Sequence, residues 1–302
     1  MNVLDFLKGK KEEETVPTVF RISGWRAYAI QALMIVLAFV YLIPFYWMIL
    51  KSFRNTIFAG FPVDLNPFSR TSLSYFISNF NTVWNFSFSA FPLWYFNSVF
   101  IAVCVVAGSV VVGAMAGYAF ARLRFRGREA LFIVVLATLM IPFPVITIAE
   151  YVFMVDIHWV NTYQSLILPQ MASAVNVFLF RQFFLTIPSE VEEAAKIDGL
   201  RPMSIFLRIS APLAKPAFAA SAILTFIGSW NNFIWPLFDV QTINMYTLPL
   251  ALNFFKGANG TQIYWNQMMM ATLISLIPTF VIYIIFERYF VTGLSAVSGI
   301  KG

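Results

Sequence analysis

The chain has 302 residues, 60% of them hydrophobic and 11% charged, with a formal net charge of +6, one cysteine and one histidine. Soluble domains carry roughly 25% charged residues, so this composition excludes a soluble globular protein and implies a bilayer as solvent. Cys104 alone excludes an internal disulfide and a thiol metal cluster, and the lone His158 leaves no multi-histidine metal site.

Residues 1–26 set Lys8, Lys10 and Lys11 against Glu12, Glu13 and Glu14 and lack the apolar core and cleavage site of a secretory signal. They read as a cytoplasmic tail, followed by a transmembrane region at 27–290 and a second cytoplasmic tail at 291–302. Crossing about 30 Å of hydrocarbon takes about 20 mostly apolar residues. Six stretches qualify: Ala27–Leu50, Phe96–Phe120, Ala130–Ala149, Tyr163–Phe180, Ala217–Phe238 and Met268–Phe286, none with a Lys, Arg, Asp or Glu. In lipid each must satisfy its own backbone, and no barrel-like alternation is present, so the expected fold is an all-α polytopic membrane protein with six transmembrane helices.

Basic residues set the orientation. Sixteen of the 20 lie on one side, among them Arg26, Arg122, Arg124, Arg126, Arg128, Arg181, Arg208 and Lys301; only Lys51, Arg54, Arg70 and Lys256 lie on the other. Both termini and the polar stretch 181–216 are therefore expected in the cytoplasm. Topology accounts for the basic excess, so no nucleic-acid partner is expected. The outer side carries a long aromatic connection, Ser52–Tyr95, a short one, Glu150–Thr162, and Asp239–Gln267, read as an exposed loop. Glu150, at the outer end of the third stretch, reads as a solvated charge. Pro44, Pro142, Pro144, Pro169, Pro236 and Pro278 interrupt spans and either bend them or build a bundle that moves around a pathway. Gly113-x-x-x-Gly117, with Gly108 before it, reads as a close helix-packing face.

The stretch 181–216 is a polar island between apolar spans. Ser189 fits an N-cap, Glu192 completes a capping box, and Gly199 fits a left-handed C-cap. A short helix over Glu190–Asp198 follows, with Val191, Ala194, Ala195 and Asp198 on one face. A second helix is expected from Pro202, carrying Ile205, Phe206 and Ile209 and stopping before Pro212. The bland alternative is a loop that merely covers the end of the bundle; two capped helices in a lean membrane protein point instead to docking.

Glu193-Ala194-Ala195, Gly199, Ile209 and Pro212 resemble the EAA loop of binding-protein-dependent ABC importer permeases. Asn97-Ser98, Ile197-Asp198-Gly199, Trp230-Asn231-Asn232-Phe233-Ile234-Trp235-Pro236-Leu237, Thr247-Leu248-Pro249-Leu250 and the terminal Gly299-Ile300-Lys301-Gly302 resemble the MalG-type carbohydrate branch, with Ala211 where a leucine often precedes the motif proline. The resemblance implies the type I ABC importer permease fold in a bacterial or archaeal cytoplasmic membrane. The short helix would then be a coupling helix in a groove of a separate ATPase. Glu193 would accept a charge-assisted bond there, Ala194 and Ala195 would allow close contact, Gly199 would supply the turn, and Asp198 would cap it or pair with a basic residue. The implied partners are a second homologous permease, two ATP-binding subunits that use ATP and Mg, and an extracytoplasmic solute-binding protein probed by the Asp239–Gln267 loop. The tail around Lys301 would reach the ATP-binding subunits. The chain has no G-x-x-x-x-G-K-[ST] sequence, so it is expected to bind no cofactor itself and to catalyse nothing.

Polar residues within spans, Gln170, Asn176, Trp230, Asn231 and Asn232, are candidates for a sugar path, since amides and indoles suit hydroxyl-rich cargo. Interhelical hydrogen bonding, worth about 0.6 kcal/mol each in membranes, is the alternative for them. A self-sufficient channel or ion-coupled carrier usually places ionisable groups inside spans, and these spans have none; an intramembrane enzyme lacks a carboxylate pair at bilayer depth. The cargo itself, whether an oligosaccharide, a sugar alcohol or glycerol 3-phosphate, is left open.

Overall fold

The computed structural model describes residues 25–55, 71–256 and 264–297. The tail at 1–24, the outer-loop residues Gly257, Asn259 and Gly260, and the terminal residues 298–302 with Lys301 lie outside them. Every regular element among the described residues is helical. Helix α1, Trp25–Ser52, contains Pro44; its part up to Met48 is a unit by itself, and the chain from Ile49 forms a second.

In the second unit, α2 (Leu73–Trp84) precedes the long α3 (Phe86–Arg122), which begins ten residues before the expected span. Then come α4 (Arg128–Ala137), α5 (Phe143–Asp156), α6 (Tyr163–Met171) and α7 (Ala174–Thr186). After a polar loop come α11 (Lys215–Trp230), α12 (Ile234–Asp239), the short α13 (Leu248–Ala251) and α14 (Trp265–Val297). The loop itself holds α8 (Ser189–Ile197), α9 (Pro202–Ile205) and α10 (Ala211–Leu213). Among the described residues, four helices are long and apolar enough to span a membrane, and the count is six when each of two bent pairs is one span.

The third expected span is not one straight helix. Its two halves meet at 100° where Ile141 and Pro142 leave helical geometry. Pro142 cannot donate a backbone bond, and a proline restrains the residue before it to extended backbone; Ile141 has φ −84° and ψ 119°. The fourth expected span breaks at Ala172 and Ser173, where the Ser173 hydroxyl caps α7 by accepting from the Asn176 amide N–H at 3.3 Å. The fifth breaks between α11 and α12, where the Asn232 side-chain oxygen accepts from the Trp235 amide N–H at 3.3 Å.

In lipid, helices gain little by hiding apolar surface from their equally apolar surroundings, so close packing and hydrogen bonds hold them together. The α3–α7 contact shows how. A β-carbon built on Gly117 would stand 2.6 Å from the Phe180 Cβ and 2.8 Å from the Arg181 backbone nitrogen. One on Gly113 would stand 2.8 Å from the Asn176 Cβ. The small-residue pair thus lets the two backbones touch. At the other end of α3, Asn97 donates to the Asn244 and Tyr246 carbonyls at 2.8 and 3.0 Å and accepts from the Tyr163 hydroxyl at 2.7 Å. Ser98 accepts from the Leu248 amide at 2.7 Å. These bonds fold the connection after α12 back onto α3, burying Leu248, Leu250, Ala251 and Phe255. Of the described part of Asp239–Gln267, Leu248, Leu250, Ala251 and Phe255 are buried while Gln241, Thr242, Ile243 and Asn244 stay exposed; the glycines and asparagine behind the exposed-loop expectation lie outside the described residues. His158 sits in the turn between α5 and α6 with a left-handed φ of 59°.

Overpacking a tight contact costs about 1–3 kcal/mol. Gly117→Ala meets backbone and a Cβ and should lower the melting temperature of the detergent-purified protein. Gly108→Ala meets only the flexible end of Met171 and should leave it close to wild type; equal melting of the two variants would contradict this packing.

Candidate functional site

Two places combine polar chemistry with unusual geometry: the loop between α7 and α11, and a cavity among the broken spans.

In the loop, α8 starts at Ser189 after Pro188, which has no side-chain cap to offer. The expected capping box does not form. Ser189 is already helical, and Glu192 turns away from the helix start into the protein, where it is 3% exposed. Its carboxylate accepts from the Ser210 hydroxyl at 2.9 Å and lies 3.5 Å from Arg122 Nε. Arg122, at the end of α3, also donates to the Phe184 and Ile187 carbonyls at the end of α7. A local capping rule lost here to a tertiary charge partner 70 positions away, because a buried carboxylate needs a counter-charge and donors.

Glu192 and Ala195 form the inner face of α8. The face expected from spacing is therefore divided: Ala195 is buried, whereas Val191, Ala194 and Asp198 are exposed together with Glu193. Ile197 is 87% exposed, an apolar side chain standing outside on a short polar helix. Gly199 does end the helix in left-handed backbone with φ 80°. Its N–H bonds the Lys196 carbonyl and that of Leu200 bonds Ala195, both at 3.0 Å, which satisfies carbonyls otherwise orphaned at the helix end. A β-carbon there would meet nothing within 4 Å, so glycine is required by conformation and not by space.

The following helix does not stop before Pro212. From α9 it widens into a π turn at Phe206–Ser210 and continues as α10, with Pro212 inside it. Such a turn absorbs an extra residue, and here Phe206 and Ser210 both face inward while Ile209 is half-buried and Pro212 exposed. Arg181 makes a second link: it donates to Glu129 at 2.8 Å, reaches the Phe120 carbonyl at 3.4 Å and lies 4.0 Å above the Phe132 ring.

The cavity has a volume of about 1080 Å³. Its wall includes residues from all three helix breaks: Pro142 and Phe143, Ala172 and Ser173, and Asn232. Irregular backbone at membrane depth is tolerated where it lines a cavity. Of the residues singled out in the sequence, Gln170, Asn176 and Asn232 reach this wall. Gln170 accepts from Asn232 at 3.3 Å. The Asn176 amide is occupied, donating to Ser109 and Thr225 at 2.8 Å each, so it ties α3, α7 and α11 together. Trp230 and Asn231 do not line the cavity. Trp230 is buried in the core and donates to the Ser275 carbonyl at 3.1 Å, while Asn231 bonds back to Ile227. Sequence reading missed Ser173, Thr225, Ser229 and, above all, Glu150: it is half-buried on the cavity wall and is not a solvated loop charge. It stands four residues before Met154 on a helix that carries one other charged residue, Asp156.

A profile of the family described as "binding-protein-dependent transport system inner membrane component" matches residues 109–295. The arabinooligosaccharides transport system permease protein AraQ of Halalkalibacterium halodurans is 36% identical over 88% of this chain and 93% of its own length. The sn-glycerol-3-phosphate transport system permease protein UgpE of Salmonella typhi is 36% identical over 72% of this chain and 79% of its own. The lactose transport system permease protein LacG of Rhizobium radiobacter is 31% identical over 85% and 90%. Among solved structures, a chain of a bacterial ABC transporter for import of the acidic polysaccharide alginate shares the fold, with a TM-score of 0.72 at 24% identity, over 89% of this chain and 99% of that one. Sequence relatives, fold and polar loop agree: the chain is a multi-pass membrane protein of the binding-protein-dependent transport system inner membrane component family, the permeases of ABC importers.

Proposed function

We propose that this permease works in the cytoplasmic membrane with both termini inside, beside a second homologous permease, and moves a sugar or oligosaccharide inward by alternating access. Two separate ATP-binding subunits, using ATP and Mg, would drive it through α8 acting as coupling helix, and an extracytoplasmic solute-binding protein would deliver the cargo. The observation that carries this reading is the outer face of α8. Ile197 is 87% exposed and Val191 40%, next to exposed Glu193 and Ala194. Apolar side chains on a helix otherwise rich in charge mark a protein contact. Ala194 lets a groove wall approach, and Glu193 offers a carboxylate to a basic partner group.

For cargo, the relatives are named for arabinooligosaccharides, glycerol 3-phosphate and lactose. The cavity presents amide and hydroxyl groups from Gln170, Asn232, Ser173, Thr225 and Ser229, together with the Glu150 carboxyl. That set suits a neutral hydroxyl-rich molecule, since amides and hydroxyls both donate and accept.

Two outcomes test this reading. When the chain is co-expressed with its ATP-binding subunit, Glu193→Lys and Ile197→Asp should each weaken co-purification by ~30-fold or more, as expected for interface anchors worth about 2 kcal/mol; undiminished assembly would contradict the docking role. Gly228 lines the cavity, and a β-carbon there meets nothing within 4 Å. Gly228→Leu should therefore keep assembly and melting temperature while cutting sugar uptake in whole cells; normal uptake would remove this cavity from the cargo path.

A further inference from the structure

We infer that Glu192 and Arg122 are the link through which displacement of α8 reaches span α3; this rests on α8 being the coupling helix. A push on α8 has an obvious route into α7, to which it is joined by a two-residue connection. The route into α3 is not covalent. Arg122 supplies it: its side chain is 12% exposed, it holds the Phe184 and Ile187 carbonyls at the end of α7, and it faces the Glu192 carboxylate, itself 4% exposed, at 3.5 Å. Ser210 closes the link from the other side of the loop, donating to the same carboxylate at 2.9 Å from inside the π turn. The end of α3, the end of α7, α8 and the helix leading to α11 therefore meet at the Glu192–Arg122 pair. All of these groups are shielded from water, so their attraction is little screened and their geometry is stiff.

This makes Glu192 a positioning residue and separates it from its neighbour Glu193, whose carboxylate is exposed. One faces the spans and one faces outward, and consecutive residues on a helix point about 100° apart.

The test uses the complete transporter, with Cys104→Ala and a single reporter cysteine at either Lys196, exposed on α8 and outside the proposed contact residues, or Val112 on α3, which is 48% exposed on the cavity wall. Maleimide labelling rates are compared without nucleotide and with ATP plus vanadate. In the parent protein both reporters should respond to nucleotide. In Glu192→Gln the α8 reporter should still respond, while the response at Val112→Cys falls about tenfold, within the usual range of coupling between sites. Arg122→Lys, which keeps the charge but cannot hold both carbonyls and the carboxylate, should show the same pattern more weakly. An undiminished response at Val112→Cys in Glu192→Gln would overturn the link. So would failure of both variants to assemble, since the pair would then be a folding requirement. Undiminished co-purification of Ile197→Asp with the ATP-binding subunits would instead overturn the docking role of α8 itself.

Discussion

One buried carboxylate organises the loop side of this permease. Glu192 has no water around it, and removing one partner of a buried ion pair typically costs about 3–5 kcal/mol because the other charge is left uncompensated. The protein can keep Glu192 there only by holding Arg122 and Ser210 in place, and Arg122 in turn fixes the last carbonyls of α7. The orientation of α8 follows. With Glu192 and Ala195 held inward, Val191, Glu193, Ala194 and Ile197 have to face out. The exposed face of α8, which we propose as the docking surface, is thus fixed by a contact that lies behind it.

The membrane interior obeys a different constraint. Without a hydrophobic drive between spans, contact depends on small residues and on a few hydrogen bonds. Gly113 and Gly117 bring α3 against α7, and Asn176 bonds to Ser109 on α3 and Thr225 on α11. Where the spans break instead of packing, at Pro142, Ser173 and Asn232, the cavity opens. Tight packing on one side of α7 and broken backbone on the other give a rigid wall beside a space that holds polar groups, an arrangement suited to transport.

Hydropathy made the spans legible, and so did the chemistry of single residues with strict backbone demands: Gly199 at its left-handed turn, and Gly113 and Gly117 at the close contact. What stayed hidden depended on partners distant in sequence. Glu192 satisfied every local criterion of a capping box, and only Arg122 on another helix shows why it points elsewhere. Asn97 and Ser98 gave no local sign that they would fold Asn244–Leu248 back onto α3, so the buried Leu248, Leu250 and Ala251 were not told apart from the exposed residues before them. Trp230 and Asn232 are two residues apart, but a helix end falls between them, and they face different environments. Hydropathy averages ran the two halves of the third span together, and the proline at 142 marked the place of its 100° bend.

The central claim is that α8 and the end of α3 move as one body. A nitroxide pair at Lys196 on α8 and Met115 on α3, both exposed, measured within one chain of the assembled transporter, tests it directly. The account predicts the same distance distribution before and after ATP is added. A shift or broadening of the Lys196–Met115 distance on ATP binding would contradict it.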